Sequence, residues 1–297
     1  MESTVKFYDI AFIGHYTKDT IVSASGTRIV DGGAFNYGAN VSARMGLKVA
    51  AITRLSKEDL RVVEKLKGLD VDVFAHISPL STCLRLKYPT SNVDERVIYV
   101  TSSAGPFTTA EVEKIQAKAI VIGASMRDEV SLEVIVELAK KKTILAADVQ
   151  SFIRVNYNGK LIPQEWPEKQ SILSHLDVLK TDAVEAEMLT GTSNIREAAQ
   201  KIANLGPREV VITHRNGLLV FVNGRFYEEG FFPKKLIGRS GRGDTCIASY
   251  VAKRLNASPQ EATTWAAAVT SLKMEAEGPF QRTIKEVNNL IQNKYKS

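Results

Sequence analysis

Cysteine is scarce in this sequence, with only Cys83 and Cys246 among 297 residues. The two stand in unrelated contexts, without a second cysteine or a histidine at metal-binding spacing, so the sequence predicts neither a disulfide framework nor a zinc site. No stretch approaches the roughly 18 apolar residues that span a bilayer. The N-terminal segment 1–14 has the pattern of a strand rather than of a basic leader with a cleavage site. We therefore expect a cytoplasmic protein with no membrane partner.

Long runs of one charge are also missing, although the formal net charge is +6. Lysine and arginine are scattered singly or in short runs such as 140–142, without the clustered stripe that is typical of nucleic-acid binding. Hydrophobic residues make up 44% and charged residues 24% of the chain, which is the composition of a globular protein and excludes disorder as the default. We expect no nucleic-acid partner and a basic surface that attracts an anionic ligand.

Apolar runs rich in valine and isoleucine alternate with helical patterns along most of the chain. Strands are predicted at 8–13, 49–53, 119–122, 144–148, 178–180 and 210–213, and helices at 36–45, 130–141 and 195–205. Thr108, Asn194 and Ser258 are each followed by a glutamate three residues later, which is the pattern of a helix start. The alternation predicts a doubly wound α/β fold with a mostly parallel sheet covered by helices on both faces.

Two segments break this alternation. In 20–30 and 82–101 polar and apolar residues alternate without an intervening helix, which predicts a small antiparallel β-lid apart from the main sheet. The chain after residue 244 has helical patterns almost throughout. Without an internal repeat or a clean linker, we expect one domain over residues 1–297.

The stretch GRSGRGDTC at 238–246 carries the clearest chemical signal. Gly241 and Gly243 let the backbone turn so that several N–H groups point one way at the start of the next helix, which is an arrangement that binds phosphate oxygens. Asp244 follows in the first helical turn. It could merely cap the helix, but a carboxylate beside a phosphate cradle can also accept the proton of an attacking hydroxyl, as phosphoryl transfer requires.

Further motifs come in the order IGHYTKDTIV, DGGAFNYGANVSARMGLKV, VLKTDAVEAEMLTG and VVITHRNG before GRSGRGDT. In this order, and over nearly the whole chain, they resemble the ribokinase-like (PfkB) family of carbohydrate kinases. The resemblance implies a ribokinase-like fold and an ATP-dependent kinase, with ATP and Mg²⁺ as cofactors. Asp244 would be the catalytic base, and the amides of Gly241, Arg242 and Gly243 would hold the developing charge.

The same resemblance implies the residues of the acceptor side. Asp19 holds the place of an aspartate that binds substrate hydroxyls, and Gly32 and Gly33 match paired glycines that lie against the substrate. Much of the family has a substrate-binding asparagine four residues after the second glycine. That place is Tyr37 here, so we expect the neighbouring Asn36 to take the role.

On the donor side the resemblance implies phosphate contacts and a metal contact. Glu185 would act on magnesium through water. The residues expected to bind the nucleotide are Lys180, Asp182, Thr213, Ser240, Gly241 and Gly243. Gly238 and Arg242 replace the usual aspartate and alanine of this signature, and Arg239 adds a second cation at the cradle.

The acceptor itself is predicted from a narrower likeness. ILAADVQSFIRV resembles the corresponding segment of myo-inositol kinases, so we expect Gln150 and Arg154 to bind substrate and the acceptor to be a polyol, myo-inositol first. A sugar, sugar-acid or nucleoside kinase is the alternative, because the fold alone does not choose the acceptor. The β-lid would exclude water during transfer, and lids of this kind predict a homodimer.

Two other classes of function fit this sequence less well than a kinase does. A nucleotide-dependent dehydrogenase needs a glycine-rich turn directly after the first strand, where this chain offers only Gly14. A non-enzymatic sensor of sugars or nucleotides would fit the altered cradle residues Gly238 and Arg242. The presence of Asp244 favours the enzyme.

Overall fold

The structure is a computed structural model that describes residues 6–24, 26–90 and 96–296. The strands are β1 (Phe7–Ile13), β2 (Thr17–Ser23), β3 (Gly26–Gly32), β4 (Val49–Leu55), β5 (Asp72–Ile77), β6 (Thr82–Lys87), β7 (Val97–Ser102), β8 (Gln116–Ile122), β9 (Ile144–Asp148), β10 (Arg154–Tyr157), β11 (Lys160–Pro163), β12 (Val178–Asp182), β13 (Glu209–His214), β14 (Gly217–Val222) and β15 (Arg225–Gly230). The helices are α1 (Ala34–Arg44), α2 (Arg61–Lys67), α3 (Thr109–Val112), α4 (Leu132–Ala139), α5 (Gln150–Ile153), α6 (Lys169–Leu173), α7 (Ala183–Thr190), α8 (Ile195–Ala203), α9 (Arg242–Arg254), α10 (Pro259–Lys273) and α11 (Ile284–Lys294).

The main sheet has nine strands in the order β15-β14-β13-β12-β9-β8-β1-β4-β5. All neighbours from β13 to β5 pair in parallel, and β14 and β15 extend one edge in antiparallel fashion. The central strands are apolar along most of their length because both faces are covered. One core packs under α1, α2, α9, α10 and α11, and the other under α3, α4, α6, α7 and α8. The predicted doubly wound fold is thus confirmed.

The lid is a second sheet with six strands in the order β10-β11-β7-β6-β2-β3. It is larger than predicted, because β2 begins at Thr17 and the hairpin β10–β11 adds two strands after α5. It is also not wholly antiparallel, since β2 pairs with β6 in parallel. Parts of the two predicted lid segments, Ser25 and residues 91–95, lie outside the described residues.

Two of the three predicted helix starts form capping boxes, at Thr108 with Glu111 and at Ser258 with Glu261. Asn194 caps α8 through its side-chain oxygen alone. The helix after the glycine-rich turn begins at Arg242, because Gly241 takes the left-handed conformation (φ 73°) that ends the turn, and Asp244 lies in its first turn as predicted. None of the helices in the described ranges is long and apolar enough to cross a membrane.

Candidate active site

A cavity of about 450 Å³ lies where the carboxyl ends of the parallel strands meet the N-terminus of α9, beneath the lid. Ligand sites of α/β sheets characteristically occupy this edge. Most of the residues predicted for the site line this one cavity, namely Asp19, Gly33, Gln150, Arg154, Lys180, Asp182, Glu185, Thr213, Ser240, Gly241, Arg242, Gly243 and Asp244. Segments far apart in sequence are therefore brought together as expected.

Two glycines shape the turn that was predicted to hold phosphate, because a side chain at either position would collide with a neighbouring residue. A Cβ on Gly241 would lie 2.3 Å from the ring of Tyr37, and a Cβ on Gly243 would lie 2.5 Å from Lys180 Nζ. No described side chain caps α9, so the amides of Gly243 and Asp244 in its first turn remain available to a ligand. The amide of Arg242 differs from expectation, because it donates to the carbonyl of Arg239 at 3.1 Å. Its contribution to the cradle is the guanidinium group, which lines the cavity.

Asp244 and Asp19 line the same cavity, Asp244 from α9 and Asp19 from the lid strand β2. Burial raises the pKa of Asp244, and the positive charges of Lys180, Arg154, Arg96 and Lys273 oppose that rise. Burial likewise raises the pKa of Asp19 to about 6, against the hydrogen bond from Thr17. The Oδ1 atom of Asp19 is buried without a hydrogen-bond partner among the described residues. An unpartnered carboxylate oxygen in a cavity is suited to accept a ligand hydroxyl.

Gly32 supports Asp19 rather than lining the cavity. A Cβ on Gly32 would lie 2.5 Å from Oδ2 of Asp19 and 2.4 Å from the hydroxyl of Thr17. Gly33, which does line the cavity, has φ 96°, and a Cβ there would lie 2.2 Å from the carbonyl oxygen of His15. Both glycines are thus required by close approach of the β2 segment.

A buried ion pair underlies the cradle. Lys180 Nζ lies 2.8 Å from Asp148 Oδ2, and both side chains are almost fully buried. Burial lowers the pKa of Lys180, but the carboxylates of Asp148, Glu185 and Asp182 outweigh it, so the lysine keeps its charge. Because Lys180 also approaches Gly243, its ammonium group adds positive charge directly beneath the anion cradle.

Asp182 and Glu185 form the capping box of α7 at the donor end of the cavity. Asp182 Oδ1 accepts from the amide of Glu185 at 2.8 Å, and Glu185 Oε2 accepts from the amide of Asp182 at 3.0 Å. Arg154 lies 3.5 Å from the other oxygen of Glu185. In the described ranges no three acidic, histidine or cysteine side chains are grouped as metal ligands. The carboxylates of Asp182 and Glu185 offer oxygen atoms, which are the ligands that a hydrated magnesium ion would take.

Two further donor-side residues lie as expected. Thr213 is buried at the end of β13 and its hydroxyl donates to the carbonyl of Thr181 at 3.4 Å, and Ser240 lines the cavity just before the cradle.

A short helix and a hairpin connect the floor of the cavity to the lid. After Asp148 the chain forms α5 and then β10–β11, which pairs with β7. Arg127 holds this connection: its Nε donates to the carbonyl of Phe152 at 2.6 Å, its amide to the carbonyl of Arg154, and its NH2 group to the carbonyl of Glu165 at 2.5 Å. Gln150 and Arg154 are positioned by this segment.

Asn36 is not brought to the cavity, so that prediction was wrong. Its Nδ2 donates to the carbonyl of Asp31 at 3.1 Å, and its Oδ1 accepts from Asn40 at 2.9 Å, so the amide joins β3 to α1. Tyr37, one residue later on the helix, lines the cavity instead. Its hydroxyl is buried without a hydrogen-bond partner among the described residues, and burial raises its pKa.

Sequence reasoning missed two cations. Arg96, just before β7, lines the cavity and lowers the pKa of Asp19 and of Asp244. Lys273, on α10, does not line this cavity, but its positive charge acts on Asp244. Neither residue belongs to a motif, and only the folded chain brings their charges close to the two aspartates.

Comparison with known proteins decides the family. Residues 7–283 match the pfkB family carbohydrate kinase model. The chain belongs to the PfkB family. This confirms that it is a small-molecule kinase with a ribokinase-like fold.

Among solved structures, this PfkB kinase resembles a pyrophosphate-dependent kinase of the ribokinase family complexed with a pyrophosphate analog and myo-inositol. Identity is 36% and the TM-score 0.87, over 94% of this chain and 99% of that chain. It also resembles a pyrophosphate-dependent myo-inositol-1 kinase converted into a myo-inositol-3 kinase, at 35% identity and a TM-score of 0.87, over 96% and 99% of the two chains. A curated relative is a cytidine kinase of Thermococcus kodakarensis, 25% identical over 268 residues, which are 85% of this chain and 91% of that protein.

Proposed function

We propose that this kinase phosphorylates a hydroxyl of myo-inositol or a closely similar polyol, with Asp244 as the base. The observation that carries the proposal is the placement of Asp244 beside the uncapped N-terminus of α9, with Asp19 across the same cavity. A carboxylate and an anion cradle on one side, and an acceptor of hydroxyl groups on the other, are the parts that phosphoryl transfer needs.

The distribution of polar and apolar residues in the cavity favours a polyol acceptor. Asp19, Gln150 and Arg154 offer hydrogen bonds to several hydroxyls, whereas Leu84 and Leu86 of the lid present apolar surface to the same space. A compact polyol can donate and accept hydrogen bonds on the polar side, here called the floor, through its hydroxyls. Its ring carbons can pack against the apolar lid residues, here called the roof. The neighbouring structures with myo-inositol support this choice. A sugar, sugar-acid or nucleoside acceptor is the alternative, and the relative that is a cytidine kinase keeps nucleosides in the test.

For the donor we propose pyrophosphate, with ATP, which the family resemblance predicts, as the second candidate. Arg242 stands where the family usually has alanine, and its NH1 atom is buried without a hydrogen-bond partner in the described ranges. A guanidinium group is suited to bind two phosphate oxygens at once. Its presence favours a small, highly charged donor, and the pyrophosphate-dependent neighbours support it.

In the proposed reaction Asp244 accepts the proton of the attacking hydroxyl, while the free amides of the α9 first turn and Lys180 stabilise charge on the transferred group. Magnesium, when bound, would neutralise charge on the donor phosphates and would be held by Asp182 and Glu185 through water. The lid excludes water that could compete for the phosphoryl group.

We further propose a cytoplasmic enzyme that acts as one domain and pairs through the lid as a homodimer. The edge strand of the lid, β3, supports the pairing, because edge strands carry unpaired backbone groups and Ile29 on β3 is 61% exposed.

The test is a two-way panel on the purified protein. Myo-inositol, ribose, fructose 6-phosphate, 2-keto-3-deoxygluconate, adenosine and cytidine are each offered with pyrophosphate or ATP in the presence of magnesium, and the phosphorylated product is quantified. We expect the fastest turnover with myo-inositol and pyrophosphate. Faster turnover with ATP would select the second donor, and turnover of ribose or cytidine alone would reject the polyol.

Asp244→Asn is the matched variant, because it keeps the size of the side chain and removes the base. We expect turnover to fall by about 10²-fold or more with an unchanged melting temperature. A variant that kept most of its activity would contradict the role of Asp244.

A further inference from the structure

Lys273 is a buried cation that the proposed reaction does not use. It is the last residue of α10 and only 2% exposed. Its ammonium group donates to the carbonyl of Gly238 at 3.2 Å and lies 5.7 Å from the centre of the Tyr37 ring. A buried lysine on a helix of otherwise small and apolar buried residues requires an explanation, because lysine is almost never fully buried without a partner.

The segment that Lys273 contacts leads directly into the phosphate cradle. The amides of Ile237 and Gly238 both donate to the carbonyl of Met274, at 2.9 and 3.1 Å. A Cβ on Gly238 would lie 2.5 Å from the carbonyl oxygen of Ala276, so the glycine allows the segment to lie directly against the end of α10. The bond from Lys273 to the Gly238 carbonyl therefore attaches the chain three residues before the turn at Gly241.

The second contact of Lys273 reaches the other side of the same turn. The Tyr37 ring, which faces the ammonium group, lies so close to Gly241 that a Cβ atom there would be 2.3 Å from the ring. Lys273 thus touches both the segment that enters the cradle and the ring that supports it. We propose that Lys273 is a positioning residue for phosphoryl transfer, which holds the cradle and Asp244 in place through the Gly238 carbonyl and the Tyr37 ring. This inference rests on the proposed function.

Burying the positive charge of Lys273 destabilises the folded protein. Burial lowers its pKa to about 8, although the carboxylates of Asp244 on α9 and Glu277 raise it. Arg28 pairs with Glu277, and Arg239 lines the same small cavity as Lys273. Because the pKa in the folded protein lies below the ordinary 10.5, the cost to folding is full below about pH 8 and is relieved as the pH rises toward 10.5. An apolar residue of similar length would avoid this cost.

Because the buried charge of Lys273 destabilises the fold, replacing it should lower activity without lowering stability if its role is positioning. A merely structural role would lower both. We would compare Lys273→Met and Lys273→Arg with the native enzyme, and use Lys253→Met as a control that removes a lysine from the far end of α9. With the substrates that the panel selects, kcat of Lys273→Met should fall about 10- to 100-fold, because misplaced catalytic groups cost about that much. Its melting temperature at pH 7 should be unchanged or higher. Lys253→Met should keep the native kcat.

The pH profile gives a second readout. In the native enzyme kcat should decline above about pH 8, as Lys273 loses its proton. Lys273→Arg should recover part of the lost activity and shift this decline to higher pH, because guanidinium keeps its charge. A Lys273→Met variant with native kcat would overturn the inference, and so would one whose kcat and melting temperature fell together without rescue by arginine. Neither result touches the role of Asp244, which Asp244→Asn tests independently.

Discussion

At the scale of single residues, the site depends on positions where a side chain is absent. Gly243 admits the ammonium group of Lys180, Gly241 admits the Tyr37 ring, and Gly32 admits the carboxylate of Asp19. Each of the three brings a functional group closer than a Cβ atom would allow. These glycines therefore allow functional groups to lie close to the backbone, in addition to allowing the backbone to turn.

The carboxylate of Asp19 should make acceptor binding depend on pH. Since its pKa is raised to about 6, the carboxylate that we propose as the acceptor of substrate hydroxyls is ionised above pH 6 and becomes protonated below it. We expect KM for the acceptor to rise as the pH falls through 6, with KM for the donor nearly constant. Steady-state kinetics between pH 5 and 8 measure both.

Asp19→Asn provides the control for this assignment. The amide cannot titrate, so the variant should lose the pH dependence, and its KM should be about 10- to 100-fold higher at pH 7, because a hydrogen bond to a charged group contributes about 1.5–3 kcal/mol. A native-like rise of KM at low pH in Asp19→Asn would assign the titration to another group.

At the scale of elements, the residues that cap α7 also have a proposed functional role. The pair that caps it, Asp182 and Glu185, is also the acidic pair at the donor end of the cavity. The capping bonds fix the carboxylates in place before any ligand arrives. α10 offers a comparison, because its box of Ser258 and Glu261 is similar in form but does not line the cavity.

Removing the first residue of each box should separate the two roles. Asp182→Ala and Ser258→Ala should each lower the free energy of unfolding by about 1 kcal/mol, the usual contribution of an N-cap. Only Asp182→Ala should also weaken use of the donor. Urea unfolding and donor KM for both variants check this, and equal kinetics in the two would limit Asp182 to capping.

Elements with strong periodicity could be predicted from the sequence, and the others could not. The buried strands β1, β4, β8, β9, β12 and β13 contain the predicted ones because two covered faces require apolar runs. β10 and β11 were missed because each has only four residues and the lid supplies their pairing.

The site was predicted where motifs mark it. Asn36 was placed wrongly because one residue along a helix changes the direction by about 100°, and Lys273 depends on a contact between distant segments.

At the scale of the whole molecule, we locate the predicted homodimer at the exposed edge of the lid. β3 is its edge strand, and Ile29 is exposed there. An exposed edge with apolar side chains tends to pair with another edge. The homodimer is a prediction of the sequence resemblance, and this edge is its simplest location.

Analytical ultracentrifugation would test that prediction. We expect the native protein to sediment as a dimer and Ile29→Lys as a monomer, because a charge would have to be buried in the interface. Ile77→Lys is the matched control, since Ile77 is 48% exposed on β5, the edge of the main sheet. A native monomer, or a dimer that Ile29→Lys leaves intact, would refute pairing through this edge.

The segment that runs from Asp148 through α5 into β10–β11 has a consequence for how such kinases diverge. It supplies part of the floor through Gln150 and Arg154 and part of the roof through Leu161 and Pro163. Substitutions in this segment would therefore alter the floor and the roof of the cavity together. Asp148 and Arg154 are exceptions, because they also pair with Lys180 and Glu185 on the proposed donor side and changes there would reach both substrates.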